Sequence, residues 1–273
     1  MSDHLAPYCD SFFAHPEWLN GAEGWTAAVL YAFQIYFDFS GYSDMAVGIG
    51  YLFGLELAVN FRTPYLSGSA TDFWRRWHIT LSSWIKDYIY ISLGGSRHGK
   101  LRQYASLFMA MTLSGLWHGS SWTFVAWGMY QGGLLIGHKF WVTALDKLGL
   151  ATYRKSWLYT TVSVIVFFAL TCLGWVLFRV ERLTDALVLM KKMLTFPEAF
   201  IFPTWVQSFW IVILLMMLLH VIEHLVMNNM KQVSMKWHRF FPAPVRGAVY
   251  TLFLVVLILF YKHEQSSFIY FQF

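Results

Sequence analysis

One stretch of this sequence restricts the possible folds more than any other feature. Residues 103–137 form a run of 35 residues without an Asp, Glu, Lys or Arg. A helix that crosses the bilayer needs about 20 apolar residues, so the run is too long for one span and too short for two spans joined by a loop in water. Gly119, Ser120 and Ser121 interrupt it. We predict two broken or re-entrant helices that meet there, where protein or a polar cavity covers the irregular backbone.

The composition indicates that the rest of the chain also lies in a membrane. The sequence is 57% hydrophobic and 13% charged, whereas a soluble domain is about a quarter charged and under half apolar. Further uncharged stretches at residues 156–178, 199–222 and 247–261 predict membrane spans. The last is long enough if Pro244 begins its helix and Lys262 extends its amine to the interface. The sequence therefore predicts an all-α, polytopic transmembrane helical bundle.

Charge, cysteine content and the lack of common motifs exclude several other classes. The 20 Lys and Arg residues, against 15 Asp and Glu, lie between apolar runs, which favours anionic lipid over nucleic acid as a partner. Cys9 and Cys172 form neither a disulfide framework nor a metal motif. No nucleophile elbow, Walker loop or dinucleotide fingerprint is present. His220, Glu223 and His224 have helical spacing but not the order of a metalloprotease motif, so we predict no metal site.

Residues 67–93 differ in pattern from the uncharged runs. Apolar residues recur three and four apart, as in a helix, at Trp74, Trp77, Leu81, Trp84 and Tyr88. Ser69, three residues before Asp72, is typical of a helix N-cap. We therefore predict an interfacial amphipathic helix, followed by a basic loop at residues 97–102 that the positive-inside tendency places in the cytoplasm.

The expected organisation is one membrane domain. It comprises a polar leader loop (1–20), a motif-bearing core (24–141) and C-terminal spans (156–262), within a single domain over residues 1–273. Pro7 and Pro16 favour a loop at the start of the chain over a signal peptide. Small residues at four-residue spacing, including Gly128 and Gly132, predict close packing of helices.

His118 is the first candidate for chemistry. It lies inside the 35-residue uncharged run, next to Trp117 and beside the predicted helix break. A lone histidine on an apolar face is more often a packed core residue. Its serine neighbours (Ser114, Ser120 and Ser121) favour a polar cavity instead, in which a neutral imidazole accepts a proton from a hydroxyl. The residues alone leave both interpretations open.

The second candidate is the cationic and aromatic segment at residues 73–78. Arg75 and Arg76 are expected either to meet lipid phosphates at the membrane surface or to form a mouth that receives an anionic carrier. In the second case His78 points inward, on the same helix face as Ser82.

Asp38 and Asp44 are the third candidates, because carboxylates inside a membrane segment are costly. Their angular separation on a helix argues against an acid–base pair that shares one substrate. We favour a structural role, in which they pair with Arg75, Arg76 or hydroxyl groups, or line a pathway for substrate.

Four motifs of the chain resemble the membrane-bound O-acyltransferase family: residues 33–48, 60–65, 72–82 and 116–119. The similarity is closest to the bacterial branch that contains the alginate O-acetylation membrane protein. It is dense over residues 5–141, and the aromatic ending at residues 268–273 is similar to this branch. Because the motifs are long and occur in order, the resemblance is specific for the family and says less about the acceptor.

The resemblance implies a function for the candidate residues. His118 matches the family's essential intramembrane histidine and His78 a second functional histidine, in a channel where donor and acceptor meet from opposite membrane faces. His118 is expected to act as general base, which we favour over an acyl-histidine relay. Arg75 and Arg76 are expected to hold the phosphates of the donor or to shape the channel. The other residues expected to bind substrate are Trp117, Asp38 and Asp44.

The implied reaction transfers an acyl group, and specifically acetyl, in the bacterial inner membrane. The donor is acetyl-coenzyme A or another acyl thioester in the cytoplasm, with no bound cofactor. The acceptor is the hydroxyl of an extracytoplasmic polysaccharide such as alginate, or a partner acetyltransferase. Membrane lipids are further expected partners.

Family members are usually longer than this chain and have several spans before the equivalent of Leu5-Ala-Pro. The chain thus resembles the C-terminal part of a full-length member, and a separately encoded N-terminal half is a further expected partner. A non-catalytic transport or assembly subunit and an inactive truncated fragment are the alternatives. Loss of transfer in His118→Ala with intact membrane assembly distinguishes the enzyme from both.

Overall fold

The computed structural model describes residues 1–195 and 202–261, and these residues form helices and no strands. The first half of the chain contains α1 (Ser2–Ala14), α2 (Gly21–Leu52), α3 (Ala70–Trp74), α4 (Ile79–Trp84), α5 (Gly99–His118) and α6 (Trp122–Lys147). The second half contains α7 (Trp157–Arg179), α8 (Leu183–Leu194), α9 (Thr204–Asn228), α10 (Met230–Phe240) and α11 (Ala243–Leu259). Short helical turns lie at Pro64–Leu66, Ile85–Tyr90 and Ala151–Lys155. The prediction of an all-α fold is confirmed.

Within residues 1–195 and 202–261, two helices are long and apolar enough to cross a membrane. These are α7 and α9, and the pair α10 and α11 adds a third span if the two helices, which meet at a bend of 118°, are counted together. α7 confirms the span predicted at residues 156–178, and α9 continues to Asn228, beyond the end predicted for the second span. Residues 199–201, Lys262 and the aromatic ending at 268–273 lie outside the described residues.

The chain begins with a helix, so the prediction of a leader loop over residues 1–20 is wrong for residues 2–14. Leu5, Cys9, Phe12 and Phe13 recur at helical spacing and are all buried. Their face packs on α2, and Phe12 also stacks on Trp205 of α9 with ring centroids 5.5 Å apart. Removal of this apolar face from water stabilises the helix.

The predicted pair of helices in the uncharged run is confirmed. α5 and α6 form an antiparallel hairpin that turns at residues 119–121, where Ser121 caps α6 by accepting a hydrogen bond from the Thr123 amide. Gly128 and Gly132 of α6 face the backbone of α5. The small-residue prediction is therefore correct at these two positions, since only glycine allows so close an approach.

Residues 67–93 do not form one amphipathic helix, and that prediction is wrong. Ser69 caps α3 as predicted, by accepting a hydrogen bond from the Asp72 amide at 3.2 Å, but the chain then bends at residues 75–78 before α4 begins. Trp77 is 2% exposed, whereas Trp84 is 50% exposed. A straight helix would present both tryptophans on one face. Because of the bend, Trp77 enters the aromatic core and Trp84 does not, and the ring centroids of Trp77 and Trp175 are 5.0 Å apart.

Contacts along α7 define two ends of the bundle. Near its last turn, Phe178 packs against His118 with ring centroids 5.2 Å apart. Near its first turn, Tyr159 accepts a hydrogen bond from Trp141 of α6. One helical turn before Trp141, His138 lines a cavity together with Lys100 of α5. We call these the His118 end and the Lys100 end. The length of α7, which is long and apolar enough to cross a membrane, separates these two ends.

Candidate active site

His118 is the last residue of α5 and lies inside the protein. It is 7% exposed, and its imidazole is perpendicular to the rings of Trp127 and Phe178, both at 5.2 Å between centroids. Trp117, which we predicted to bind substrate, is 60% exposed on the other side of the helix end. The helix break thus directs His118, and not its neighbour, into the aromatic core.

His78 lies at the bend between α3 and α4, in an unusual backbone conformation. Its φ angle is +42°, a left-handed conformation that a residue with a side chain adopts at a cost of about 1–3 kcal/mol. Asn60 Oδ1 lies 3.3 Å from His78 Nδ1 and also accepts hydrogen bonds from the amide and hydroxyl of Thr80. Because an amide oxygen only accepts, Nδ1 of His78 carries the proton and Nε2 carries the lone pair.

A series of tryptophan ring contacts connects the segment that carries His78 to His118. Trp77, next to His78, packs on Trp175 at 5.0 Å, and Trp175 stacks on Trp127 at 6.0 Å. His118 is the neighbour of Trp127. The two imidazoles also lie close enough to interact electrostatically, so the fold brings together residues that are 40 positions apart in sequence.

The arginines of the bend lie towards the Lys100 end. Arg76 forms an ion pair with Asp72 at 3.0 Å, one helical turn earlier, while Arg75 is exposed. Both line a cavity of about 700 Å³ together with Arg62 and His224. This cavity therefore presents three guanidinium groups to any ligand that enters it.

The two carboxylates of α2 do not form an ion pair with these arginines in the way we predicted. Arg76 takes Asp72 as its partner, four residues away on its own chain segment. Asp38 is half-buried and Asp44 is exposed, and Asp44 lies within electrostatic range of Glu223 on α9. Asp72 is closer to Arg76 in the sequence than Asp38 or Asp44 is, and one helical turn brings the two side chains together.

A cleft at the Lys100 end extends along α5 as far as Met111. Its volume is about 340 Å³, its walls are largely apolar, and Arg75, Lys86 and Lys139 lie along it. Ala110 of α5 and Leu135 of α6 belong to its lining. One helical turn beyond them along each helix stand Ser114 and Gln131, both almost fully buried.

The polar atoms beyond the cleft have no partners in the part of the chain that the structure describes. The side-chain oxygens of Ser114 and Gln131 and the indole nitrogen of Trp127 are buried without a hydrogen bond. Buried polar groups normally have a partner from the protein or from water. Since the next turn of α5 carries His118, these buried polar atoms lie between the cleft and the imidazole.

Sequence reasoning missed a second polar cluster, which joins α9 to the loop before α3. His220 Nδ1 lies 3.0 Å from Glu223 Oε2, and Tyr36 OH donates to Glu223 Oε1 at 2.7 Å. His220 Nε2 accepts a hydrogen bond from the Tyr65 amide at 3.3 Å. The helical spacing of His220 and Glu223 is the sequence signal for this cluster, and it suits a hydrogen-bond relay as well as a metal site. Among the described residues no group of His, Cys, Asp and Glu is arranged to hold a metal ion.

Comparison with known proteins agrees with this architecture. Residues 1–178 match the model of the membrane-bound O-acyltransferase family. The chain is 43% identical over 198 residues to a protein named probable alginate O-acetylase AlgI from Pseudomonas fluorescens, covering 72% of this chain and 38% of the relative. It is 40% identical over 194 residues to a peptidoglycan O-acetyltransferase of Helicobacter pylori, covering 71% of this chain and 36% of the relative.

A more distant relative has a different transfer reaction in its name. The chain is 30% identical over 156 residues to a teichoic acid D-alanyltransferase of Bacillus subtilis, covering 54% of this chain and 39% of the relative. The chain thus spans well under half the length of these curated relatives. The matched residues include His78, His118 and the helices that hold them. The chain belongs to the membrane-bound O-acyltransferase family.

Proposed function

We propose that this chain is the catalytic part of a membrane O-acyltransferase. It moves an acyl group, specifically acetyl, from a cytoplasmic thioester to the hydroxyl of an extracytoplasmic polysaccharide or of a partner acetyltransferase, as in alginate O-acetylation. The observation that carries the proposal is the buried imidazole of His118 at a helix break, two helical turns along α5 from a cleft that cationic side chains line. Family membership and the names of the relatives support the reaction class.

The cationic Lys100 end is where we place entry of the donor. Arg75 contributes to the cavity of about 700 Å³, to the cleft, and to a third cavity that Lys100 and Lys139 also line. Guanidinium and ammonium groups bind the phosphates of a carrier such as coenzyme A. An excess of Lys and Arg is also typical of the cytoplasmic side of an inner-membrane protein. Arg75 and Arg76 would therefore hold the head of the donor while its acyl arm enters the cleft.

The acceptor reaches His118 from the other end of the bundle. There, a cavity of about 600 Å³ mixes acidic and basic side chains, including Asp10, Glu181 and Arg182. Such a surface offers both donors and acceptors to sugar hydroxyls, or to a partner protein. The two substrates would then meet at His118 without either one crossing the whole membrane.

The proposed chemistry is general base catalysis of acyl transfer. His118 removes the proton from the acceptor hydroxyl while the oxygen of that hydroxyl attacks the thioester carbonyl, and a new C–O bond forms. The C–S bond then breaks, and the proton held by His118 returns to the departing thiolate. His78 supplies the second imidazole, through the Nε2 atom that its hydrogen bond to Asn60 leaves with a lone pair.

The deciding experiment follows labelled acetyl from acetyl-coenzyme A in membranes that contain this chain. We expect transfer to polysaccharide or to a partner protein, and a decrease of about 10²–10⁴-fold in His118→Ala, because a positioned general base contributes about that much. His238→Ala is the control, since His238 is an exposed residue of α10 away from the site. Equal rates in His118→Ala and wild type would reject the role of His118. Absence of transfer by inserted, intact wild-type protein would reject activity of this chain alone.

A further inference from the structure

We propose that Glu223, acting through His220, positions His78. The inference rests on the proposed function, because it concerns the second imidazole of the same site, but it assigns a role to α9, which lies outside residues 1–178 that match the family model. Glu223 and His220 do not touch substrate in this proposal. They fix the loop at residues 60–65, and this loop fixes the bend that carries His78.

The first step is the protonation state of His220, which is 2% exposed. The Tyr65 amide can only donate, so His220 Nε2 accepts and carries the lone pair. Nδ1 then carries the proton and donates it to the Glu223 carboxylate at 3.0 Å. The other oxygen of that carboxylate accepts a hydrogen bond from Tyr36 OH of α2 at 2.7 Å. Each polar atom thus has one role, and the imidazole has one orientation.

The second step is the attachment of the loop to α9 at two adjacent points. Besides the bond from the Tyr65 amide to His220, Thr63 Oγ1 is hydrogen-bonded to His224 Nδ1 at 2.8 Å. Thr63 is 1% exposed and has a φ angle of +46°. A buried threonine keeps this costly backbone conformation only where neighbouring contacts impose it.

The third step joins the loop to the bend through backbone and side chain. The Arg62 amide donates to the Arg76 carbonyl at 2.9 Å, and the Ile79 amide donates to the Asn60 carbonyl at 3.0 Å. Between these two bonds lies His78, whose Nδ1 is held by Asn60 Oδ1. The loop and the bend are therefore paired on both sides of the imidazole.

The two strained residues lie one on each of the paired segments. Thr63 and His78 are the non-glycine residues with positive φ among residues 1–195 and 202–261, and they stand on the two paired segments. The contacts from α9 offset the strain at Thr63, and the loop in turn imposes the conformation at His78. If the bond between Tyr65 and His220 is lost, we expect the loop to relax and the orientation of His78 to become variable.

The first test separates positioning from folding by comparing kcat with KM. We expect His220→Phe, which keeps the ring but removes both hydrogen bonds, to lower kcat for acetyl transfer about 10- to 100-fold, because small displacements of a reacting group have effects of that size. KM for acetyl-coenzyme A should rise by a smaller factor than kcat falls, because the loop contributes only Arg62 to the three guanidinium groups of the donor cavity and all three remain in the chain. His220→Gln, which has both an acceptor and a donor, should restore at least half of the lost rate. Glu223→Gln should have an intermediate effect.

The matched control is Ser208→Ala. Ser208 lies on the same helix, and within the part of the chain that the structure describes its hydroxyl donates to the Trp205 carbonyl of that helix, so kcat should not change. If His220→Phe and His220→Gln are equally impaired, or if KM rises in proportion to the loss of kcat, the positioning role is rejected.

The second test does not depend on activity, so that failure of the proposed function and failure of this inference can be distinguished. Hydrogen–deuterium exchange is measured on the full chain in detergent, in peptides that cover residues 60–66 and 76–80. We expect His220→Phe to increase exchange several-fold in both peptides, because the amides of Arg62, Tyr65 and Ile79 donate the hydrogen bonds that connect α9, the loop and the bend. An increase confined to residues 60–66 would show that α9 does not act on His78.

Discussion

Gly115 of α5 and Gly128 of α6 pack backbone against backbone. A β-carbon added to Gly128 would lie 3.1 Å from Gly115 Cα and 3.0 Å from Thr112 Cα, and it would collide with the Met111 carbonyl oxygen. Gly128 lies next to Trp127, whose indole is a neighbour of the His118 ring. The spacing of these two helices therefore determines where the candidate base stands.

We expect Gly128→Ala to destabilise the helical hairpin. The collision involves backbone atoms, which cannot move away as a flexible side chain would, so the cost should be at least the 1–3 kcal/mol or so that is typical of an overpacked core. The measurement is thermal denaturation of the detergent-solubilised protein. Gly133→Ala is the matched control, because a β-carbon there has no atom within 4 Å. Its stability should equal or exceed that of wild type, by up to about 1 kcal/mol from helix propensity. Equal melting temperatures for both variants would contradict the close approach.

Arg75 provides a test of donor binding. If this guanidinium holds a phosphate of the donor, Arg75→Ala removes a charge-assisted hydrogen bond worth about 1.5–3 kcal/mol. KM for acetyl-coenzyme A should then rise about 10-fold or more, with a smaller change in kcat. The measurement is initial rate against donor concentration in membranes.

The control for this prediction is Arg182→Ala at the His118 end. Arg182 is an exposed guanidinium whose carboxylate neighbour is Asp185 at 3.6 Å, and its removal should leave the donor KM unchanged. A rise in KM of the same size in both variants would indicate a general effect of positive charge instead of a donor site at Arg75.

The orientation of the bundle predicts a labelling pattern. Lys100→Cys and Arg182→Cys place thiols at opposite ends of α7, and the natural Cys9 and Cys172 are fully buried and should not react. A membrane-impermeant maleimide should label Lys100→Cys in inverted vesicles and Arg182→Cys in intact spheroplasts. The physical reason is that a basic loop is retained in the cytoplasm. Labelling of both variants from the same side would show that α7 does not separate the two ends across the membrane.

The hairpin and the bend at His78 show where sequence reasoning succeeded and where it did not. The break at residues 119–121 follows from length and from turn-forming residues, which are local properties of the chain. The bend at residues 75–78 cannot be predicted from local properties, because the helical spacing of Trp74, Trp77 and Trp84 is the same with or without it. The position of the bend is decided by the packing of Trp77 against Trp175, a residue that is distant in sequence.

The same distinction applies to the polar residues. His118 can be identified from the sequence because it is a polar residue in an uncharged run, and burial of such a residue is costly anywhere in a membrane. The pairing of Arg76 with Asp72 is a local contact between residues four apart, and the exclusion of Asp38 and Asp44 from it depends on where the fold places α2. His220 and Glu223 have a spacing that suits a metal site as well as a hydrogen-bond relay, and the Tyr65 amide and Tyr36 hydroxyl select the relay.

By itself, the sequence determined that the protein is helical, that it lies in a membrane, which family it resembles and which histidines are candidates, because these depend on composition, periodicity and motifs along the chain. Tertiary structure alone decided that residues 2–14 form a packed helix, that His78 and His118 share one aromatic core, and that α9 holds the loop opposite His78. The physical reason is that burial, strain and hydrogen-bond partners depend on residues that are distant in sequence and become neighbours only when the helices pack.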